Sequence, residues 1–247
     1  MFNQGRQMKF SVVIPCKNEA ENLAFLLDEV EAAFAGRDFE VIVVDDGSDD
    51  GTGALLTERM KREGAPLRMV RHDRSAGKSA AERSGALAAK GDFVCLMDGD
   101  GQNNPADLPR LIDALLAAGP GCGIAAGQRL KRTDTRLKQL SSRFANGLRQ
   151  AILKDRTRDT GCGLKVIRAD LMRSFPFFDG MHRYYPALSI REGYDVTHVD
   201  VIDRGRRFGV SKYGIIDRGL QGALDLIGVW WLRKRRKVVP VAKEVRP

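Results

Sequence analysis

The 247-residue sequence predicts an α/β fold, a mostly parallel central sheet with helices on both faces. Two observations predict it. Apolar runs of strand length alternate with stretches of helical periodicity through residue 118. Polar clusters follow the first, second and fourth runs, at the carboxyl ends of the strands, where open α/β sheets bind ligands.

The elements can be justified in order. Phe10–Ile14 is an apolar run stopped by Pro15, as expected of a buried strand. Asn18 and Glu19 then open a helix with Leu23, Leu26, Leu27 and Val30 on one face. Phe39–Val44 is the second strand and ends in Asp45-Asp46-Gly47-Ser48. A helix over Ala54–Arg62 and a third strand over Leu67–Arg71 follow. Ser79–Ala89 is Ala-rich and holds Gly85, which suits close packing of a helix on the sheet. Phe93–Met97 is the fourth strand and runs into Asp98-Gly99-Asp100. Asp107–Ala118 is the next helix, and Gly-Pro-Gly at 119–121 is a turn.

The second half is less regular. Arg129–Lys154 is basic and reads as mostly helical, and Asp155–Tyr194 has no clear period. Val196–Asp203 alternates apolar and polar residues, as an edge or antiparallel strand does. The apolar, aromatic tail Ile215–Leu232 precedes the basic run Arg233–Lys237. With no repeat and no separating linker, the reading is one domain over residues 1–214 and a tail over 215–247.

Composition bounds the function. The chain is 43% hydrophobic and 30% charged, a globular balance that excludes disorder. Four cysteines without a CxxC pair, and three histidines, argue against a zinc site or disulfide framework and for a reducing cytosol. The start of the chain, Met1–Lys9, is polar and does not read as a secretory signal. Residues 1–125 carry 14 Lys and Arg against 20 Asp and Glu, and residues 126–247 carry 27 against 12. A basic second half points to a polyanionic partner or to a solubilising surface. Nucleic acid is disfavoured, because aromatic residues are not interleaved with the basic clusters as a stacking platform requires.

Asp98-Gly99-Asp100-Gly101-Gln102 carries the chemistry. Two carboxylates two residues apart beside glycine can turn toward one hard cation, Mg2+ or Mn2+, which takes oxygen ligands and keeps positions for substrate phosphates. An isolated Asp-Gly-Asp is also an ordinary solvated turn. Its companions separate the two readings. Val13-Ile14-Pro15-Cys16-Lys17-Asn18-Glu19 closes the first strand, and Val44-Asp45-Asp46-Gly47-Ser48-Asp49-Asp50-Gly51-Thr52 closes the second. Gly77-Lys78-Ser79 is not a P-loop, since the glycine required five positions before Gly77 is His72.

These segments, in this order, resemble the inverting family 2 glycosyltransferases of the GT-A, Rossmann-like fold. The resemblance implies that Pro15, Glu19, Asp45, Asp46 and Lys78 face a UDP- or GDP-sugar, with Asp98 beside them. It implies that Asp98, Asp100 and Gln102 hold the metal and diphosphate. Lys17 stands where the family often has an aromatic residue. Arg206-Arg207-Phe208-Gly209-Val210-Ser211-Lys212-Tyr213 and His182-Arg183-Tyr184-Tyr185-Pro186-Ala187-Leu188 resemble motifs of the polyprenyl-phosphate branch, typified by dolichol-phosphate mannose synthase. Asp159-Thr160-Gly161-Cys162-Gly163-Leu164-Lys165 sits where that branch has an Asp- and Gly-bearing loop. The implied acceptor is a polyprenyl phosphate held by Ser142, Arg143, Arg206 and Ser211, with Asp100, Arg129 and Lys212 at the reacting centre. Such an acceptor needs no general base, since its second pKa of about 6 leaves it largely dianionic at neutral pH.

Two other enzymes fit less well. A glycosyltransferase acting on a saccharide hydroxyl would need a base. A sugar-phosphate nucleotidyltransferase wants a Gly-rich loop where Lys17-Asn18-Glu19-Ala20-Glu21 stands. The tail segment Leu220–Leu232 is 13 residues, against about 20 for a bilayer span. Trp230-Trp231 beside Arg233–Lys237 suggests a helix lying in a membrane interface, attached peripherally on the cytoplasmic face. The alternative is a helix packed on the core or on a second subunit in a homo-oligomer.

Overall fold

The computed structural model describes residues 8–130, 147, 149–205, 208 and 217–237. Among the described residues seven strands form one sheet: β1 (Lys9–Cys16), β2 (Asp38–Asp45), β3 (Leu67–Arg71), β4 (Phe93–Leu96), β5 (Cys122–Arg129), β6 (Lys165–Arg168) and β7 (Asp195–Val201), in the order β3-β2-β1-β4-β6-β5-β7. β1 pairs in parallel with β2 and β4, β2 with β3, and β5 with β7. β6 runs antiparallel to both its neighbours. Cys16 is in register with Asp45, and Asp45 with Arg71, so β1, β2 and β3 end together.

The helices between strands are α1 (Ala20–Ala33), α2 (Thr52–Met60), α3 (Lys78–Ala88) and α4 (Asp107–Ala117), followed by α5 (Ala169–Ser174), α6 (Tyr185–Arg191) and α7 (Asp217–Lys234). Side chains of one strand alternate between two cores, as the period of two requires. Val12 and Ile14 join Leu23, Leu26, Val30, Leu56, Leu111 and Leu115 on the α1, α2 and α4 side. Val13 joins Val44, Ala81, Leu171, Tyr185 and Leu188 on the α3, α5 and α6 side. Helices thus cover both faces of a mostly parallel sheet, as expected. Gly85 explains how closely α3 lies on it: a Cβ there would stand 2.3 Å from Val13 Cγ1.

In the second half one reading is corrected and one is borne out. Arg129 ends a strand and does not begin a helix; residues 149–153 are helical. β5 was illegible because Gly123 and Gly127 look like strand breakers. Both are packing requirements, since a Cβ would come within 2.4 Å of Leu171 Cδ2 and 2.9 Å of Cys162 Sγ. The strand at Val196–Asp203 is observed as β7, at the sheet edge. It pairs with β5 in parallel, because the antiparallel β6 first returns the chain to the edge from which β5 starts.

The C-terminal α7 packs on the second core through Val229, which is 1% exposed. Tyr184 Oη donates to Gly222 O at 3.1 Å, and Arg191 Nε to Leu232 O at 3.2 Å. Asp225 faces inward, its Oδ2 2.8 Å from where a Cβ on Gly180 would be. Leu224, Ile227, Trp230 and Trp231 face outward and are exposed. Among the described residues, no helix is long and apolar enough to cross a membrane.

Candidate active site

The carboxyl ends of β1, β2 and β4 meet at one edge of the sheet, and each delivers a polar segment. After β1 the chain turns at Asn18, which has φ +56°. Much of the acidic segment after β2 serves this turn. Asn18 N–H donates to Ser48 Oγ at 2.9 Å, Glu19 N–H to Thr52 Oγ1 at 3.1 Å, and Ala20 N–H to Asp50 Oδ2 at 3.4 Å. These side chains satisfy backbone donors where α1 begins, which that helix cannot satisfy itself. Glu19 is half-buried and accepts from Asn22 Nδ2 at 2.6 Å.

Asp45 is fully buried; its Oδ1 accepts the Ser48 N–H at 2.9 Å and its Oδ2 lies 3.4 Å from Arg71 Nε. Asp46 spends both oxygens on the loop that follows β3. It accepts from His72 Nδ1 at 2.7 Å, Ser75 Oγ at 2.8 Å, Ala76 N at 2.8 Å and Gly77 N at 2.9 Å. Burial alone would raise this carboxyl, but the four donors outweigh it and hold it below the usual carboxylate range. The loop lies against Gly47, where a Cβ would be 2.9 Å from Ser75 N.

The same loop delivers Lys78 at the start of α3. Its ammonium bonds Asp98 Oδ1 and lies 3.8 Å from Glu82 Oε1. Tyr185 Oη donates to the other Glu82 oxygen at 2.7 Å. Lys165, buried beside them, donates to Cys162 O. Burial would pull Lys78 down, but Asp98 and Glu82 hold its ammonium above the usual lysine range. Burial would raise the Asp98 carboxyl, and Lys78, Lys165 and Arg129 together hold it down, so it is ionised at neutral pH.

Asp98, Asp100 and Gln102 all lie partly open on one five-residue loop. Gly101, at φ +73°, turns the loop, and Gln102 N–H donates to Asp100 Oδ1 at 3.1 Å. Two carboxylates and an amide oxygen are the type of hard oxygen donor that Mg2+ or Mn2+ takes, with substrate phosphates completing the shell.

Arg129, at the end of β5, reaches the same edge. Its Nε donates to Asp159 Oδ2 at 2.5 Å, its Nη2 to Asp159 Oδ1 at 2.9 Å and its Nη1 to Asp203 Oδ2 at 3.1 Å. Gly163 lets the 159–164 segment approach the Asp98–Gln102 loop, because a Cβ there would be 2.6 Å from Asp98 Oδ2. The structure therefore gathers Pro15, Glu19, Asp45, Asp46, Lys78, Asp98, Asp100, Gln102 and Arg129 along one edge of the sheet. Ser142, Arg143, Arg206, Ser211 and Lys212 lie outside the described residues. Asp159 and Lys165 open and close the Asp- and Gly-bearing segment that the resemblance marks, but no role was assigned to either. Asn103 and Asp203 were not singled out; Asn103 adjoins Gln102, whereas Asp203 carries no signal of its own.

A family model, Glycosyl transferase family 2, matches residues 11–175, which hold all three strand-end segments and Arg129. The chain belongs to that family. This glycosyltransferase is 33% identical over 234 residues to the dodecaprenyl-phosphate galacturonate synthase of Rhizobium johnstonii, covering 93% of this chain and 68% of the relative. It is 32% identical over 208 residues to the undecaprenyl-phosphate 4-deoxy-4-formamido-L-arabinose transferase of Edwardsiella ictaluri, covering 83% and 63%. The chain thus spans about two thirds of the length of these relatives. The glycosyltransferase also shares its fold with glucosyl-3-phosphoglycerate synthase from Mycobacterium tuberculosis, solved with Mn2+ and UDP-glucose. There the TM-score is 0.70 at 24% identity, over 90% of this chain and 79% of that one.

Proposed function

We propose that this family 2 glycosyltransferase moves a sugar from a UDP- or GDP-sugar to a polyprenyl phosphate, with inversion. One observation carries the reading. Two relatives that use different sugars, galacturonate and a formamido-arabinose, are both named for a polyprenyl-phosphate acceptor. The basic second half of the chain suits an anionic lipid substrate.

In this reading Asp98, Asp100 and Gln102 hold a divalent cation, Mg2+ or Mn2+. The cation supplies charge to offset that on the departing nucleoside diphosphate. Lys78 keeps Asp98 ionised and oriented. Glu19 and Pro15 border the nucleoside. Asp45 and Asp46 act on the donor indirectly, by shaping the segments after β2 and β3. Arg129, Ser142, Arg143, Arg206, Ser211 and Lys212 hold the acceptor phosphate, which attacks the anomeric carbon directly. No side chain has to remove a proton from it.

The protein works on the cytoplasmic face of a membrane, where its lipid substrate resides. The outward face of α7, Leu224, Ile227, Trp230 and Trp231, enters the interface, and Arg233–Lys237 contacts anionic headgroups. The test is incubation with a panel of UDP- and GDP-sugars, Mg2+ or Mn2+, and a short polyprenyl phosphate. Lipid-dependent release of UDP or GDP, abolished in Asp100→Ala, is the expected result. Release that ignores the lipid but responds to 3-phosphoglycerate or a saccharide would refute the acceptor.

A further inference from the structure

Asn103 follows the Asp98–Gln102 loop and is 2% exposed. Its Oδ1 accepts the Asp98 N–H at 3.0 Å, and its Nδ2 donates to Asp203 Oδ1 at 3.2 Å. The other Asp203 oxygen accepts from Arg129. The neighbouring Arg204 closes the strap. Its N–H donates to Gln102 O at 2.8 Å, and its Nη2 donates to Asn103 O at 3.0 Å and to Glu29 Oε2 at 2.6 Å. The loop is pinned at its start by a side chain and at its end by the backbone.

The chemistry at position 103 is asymmetric. One end of the side chain meets an N–H and must accept. The other end meets a carboxylate and must donate. Only an amide does both in this geometry. A Cβ on Gly163 would fall 2.5 Å from Asn103 Oδ1, so there is no room for the amide to shift toward that side. Buried polar pairs of this kind specify geometry when every member is satisfied.

We infer that Asn103 and Asp203 are positioning residues, an amide–carboxylate lock that fixes the direction in which Asp98 presents its oxygens. The inference rests on the reading of the Asp98–Gln102 loop as a cation site. Groups that orient metal ligands commonly change metal affinity by about 10- to 100-fold when lost.

The pair can be exchanged. Asn103→Asp alone sets two carboxylates against each other. Asp203→Asn alone faces an amide N–H2 against either Asn103 or Arg129. With both substitutions combined, the carboxylate at position 103 accepts from the Asp98 N–H and from the new amide at position 203, whose oxygen accepts from Arg129. All bonds of the lock are restored, and only the one between positions 103 and 203 reverses its direction.

The experiment measures Mn2+ affinity by electron paramagnetic resonance in the presence of UDP and of GDP, for the wild type, both single variants and the double variant. Thermal melting and kcat against KM for the metal are recorded alongside. The expected result is Mn2+ binding weakened about tenfold or more in each single variant, a raised metal KM, and recovery to within about threefold in the double variant. If a single variant does not fold, the double variant alone decides, since the lock requires it to bind Mn2+ like the wild type. Single variants that bind Mn2+ as the wild type does, or a double variant no better than the worse single, would overturn the lock. A wild type that binds no Mn2+ with either nucleotide would instead overturn the cation site, and the lock with it.

Discussion

The Lys78 ammonium bonds Asp98 Oδ1, so the first carboxylate of the Asp98–Gln102 loop is paired with a lysine delivered from the helix before β4. The divalent cation proposed for this loop would compete with Lys78 for that oxygen. Replacing Lys78 by Met removes a like charge from the cation's neighbourhood. Removing that repulsion is worth about 1–2 kcal/mol in a half-exposed site, or roughly tenfold in affinity. Mn2+ binding without nucleotide should tighten by that factor in Lys78→Met, measured by calorimetric titration. Unchanged or weaker binding would show that Lys78 does not sit in the cation's way.

Gly163 tests the other side of Asp98. A methyl group at this position would meet Asp98 Oδ2 and Asn103 Oδ1 inside van der Waals contact. Overpacking of this kind costs about 1–3 kcal/mol, and here the strain falls on the metal loop. Gly163→Ala should lower kcat by at least about tenfold while shifting the melting temperature by only a few degrees. A variant that keeps its full kcat would mean that the loop tolerates displacement.

Asp46 makes a prediction about acid. Its four donors hold its carboxyl below the usual range in the fold. The stability it adds is therefore present above its unfolded pKa of about 3.9 and is lost as pH falls through the lower folded value. Asp46→Asn should be less stable than the wild type by about 1–3 kcal/mol at pH 6, since amide hydrogens would then face backbone N–H groups. The gap should narrow as the pH approaches 3, in urea denaturation at each pH. A gap that stays constant would argue that the four bonds are not those of an ionised carboxylate.

The outward side of α7 predicts lipid binding. Ile227 is 62% exposed and Trp231 is 54% exposed, so neither is needed for the core. Ile227→Glu with Trp231→Ser should weaken binding to anionic vesicles by about tenfold or more, with little change in melting temperature. Neutral vesicles should bind the wild type less well, and salt should reduce binding to anionic ones. If sedimentation with anionic vesicles is unaffected by the double substitution, α7 does not face the lipid.

How much was legible follows from local against tertiary causes. β1, β2 and β4 are buried on both faces over most of their length, so their sequences are near-continuous apolar runs and could be read one at a time. β5 could not, because Gly123 and Gly127 answer to Leu171, Tyr194 and Cys162, residues distant in the chain. The acidic clusters were visible at the right strand ends. Their division of labour was not. Whether Asp46 touches substrate or holds a loop depends on where residues 72–77 return. Asp203 lies 100 residues from the Asn103 it bonds, and no sequence pattern marks it.

The reversal of β6 has a consequence for motion. Strands that run with the sheet bring to this edge the segment that leaves them. β6 runs the other way and contributes the segment that enters it, residues 159–164. That segment is tied at its far end by Asp159 to Arg129, and at its near end it becomes a strand between two neighbours. The stretch beside Asp98 is therefore braced from both ends, and the reversed strand serves this edge of the sheet as an anvil.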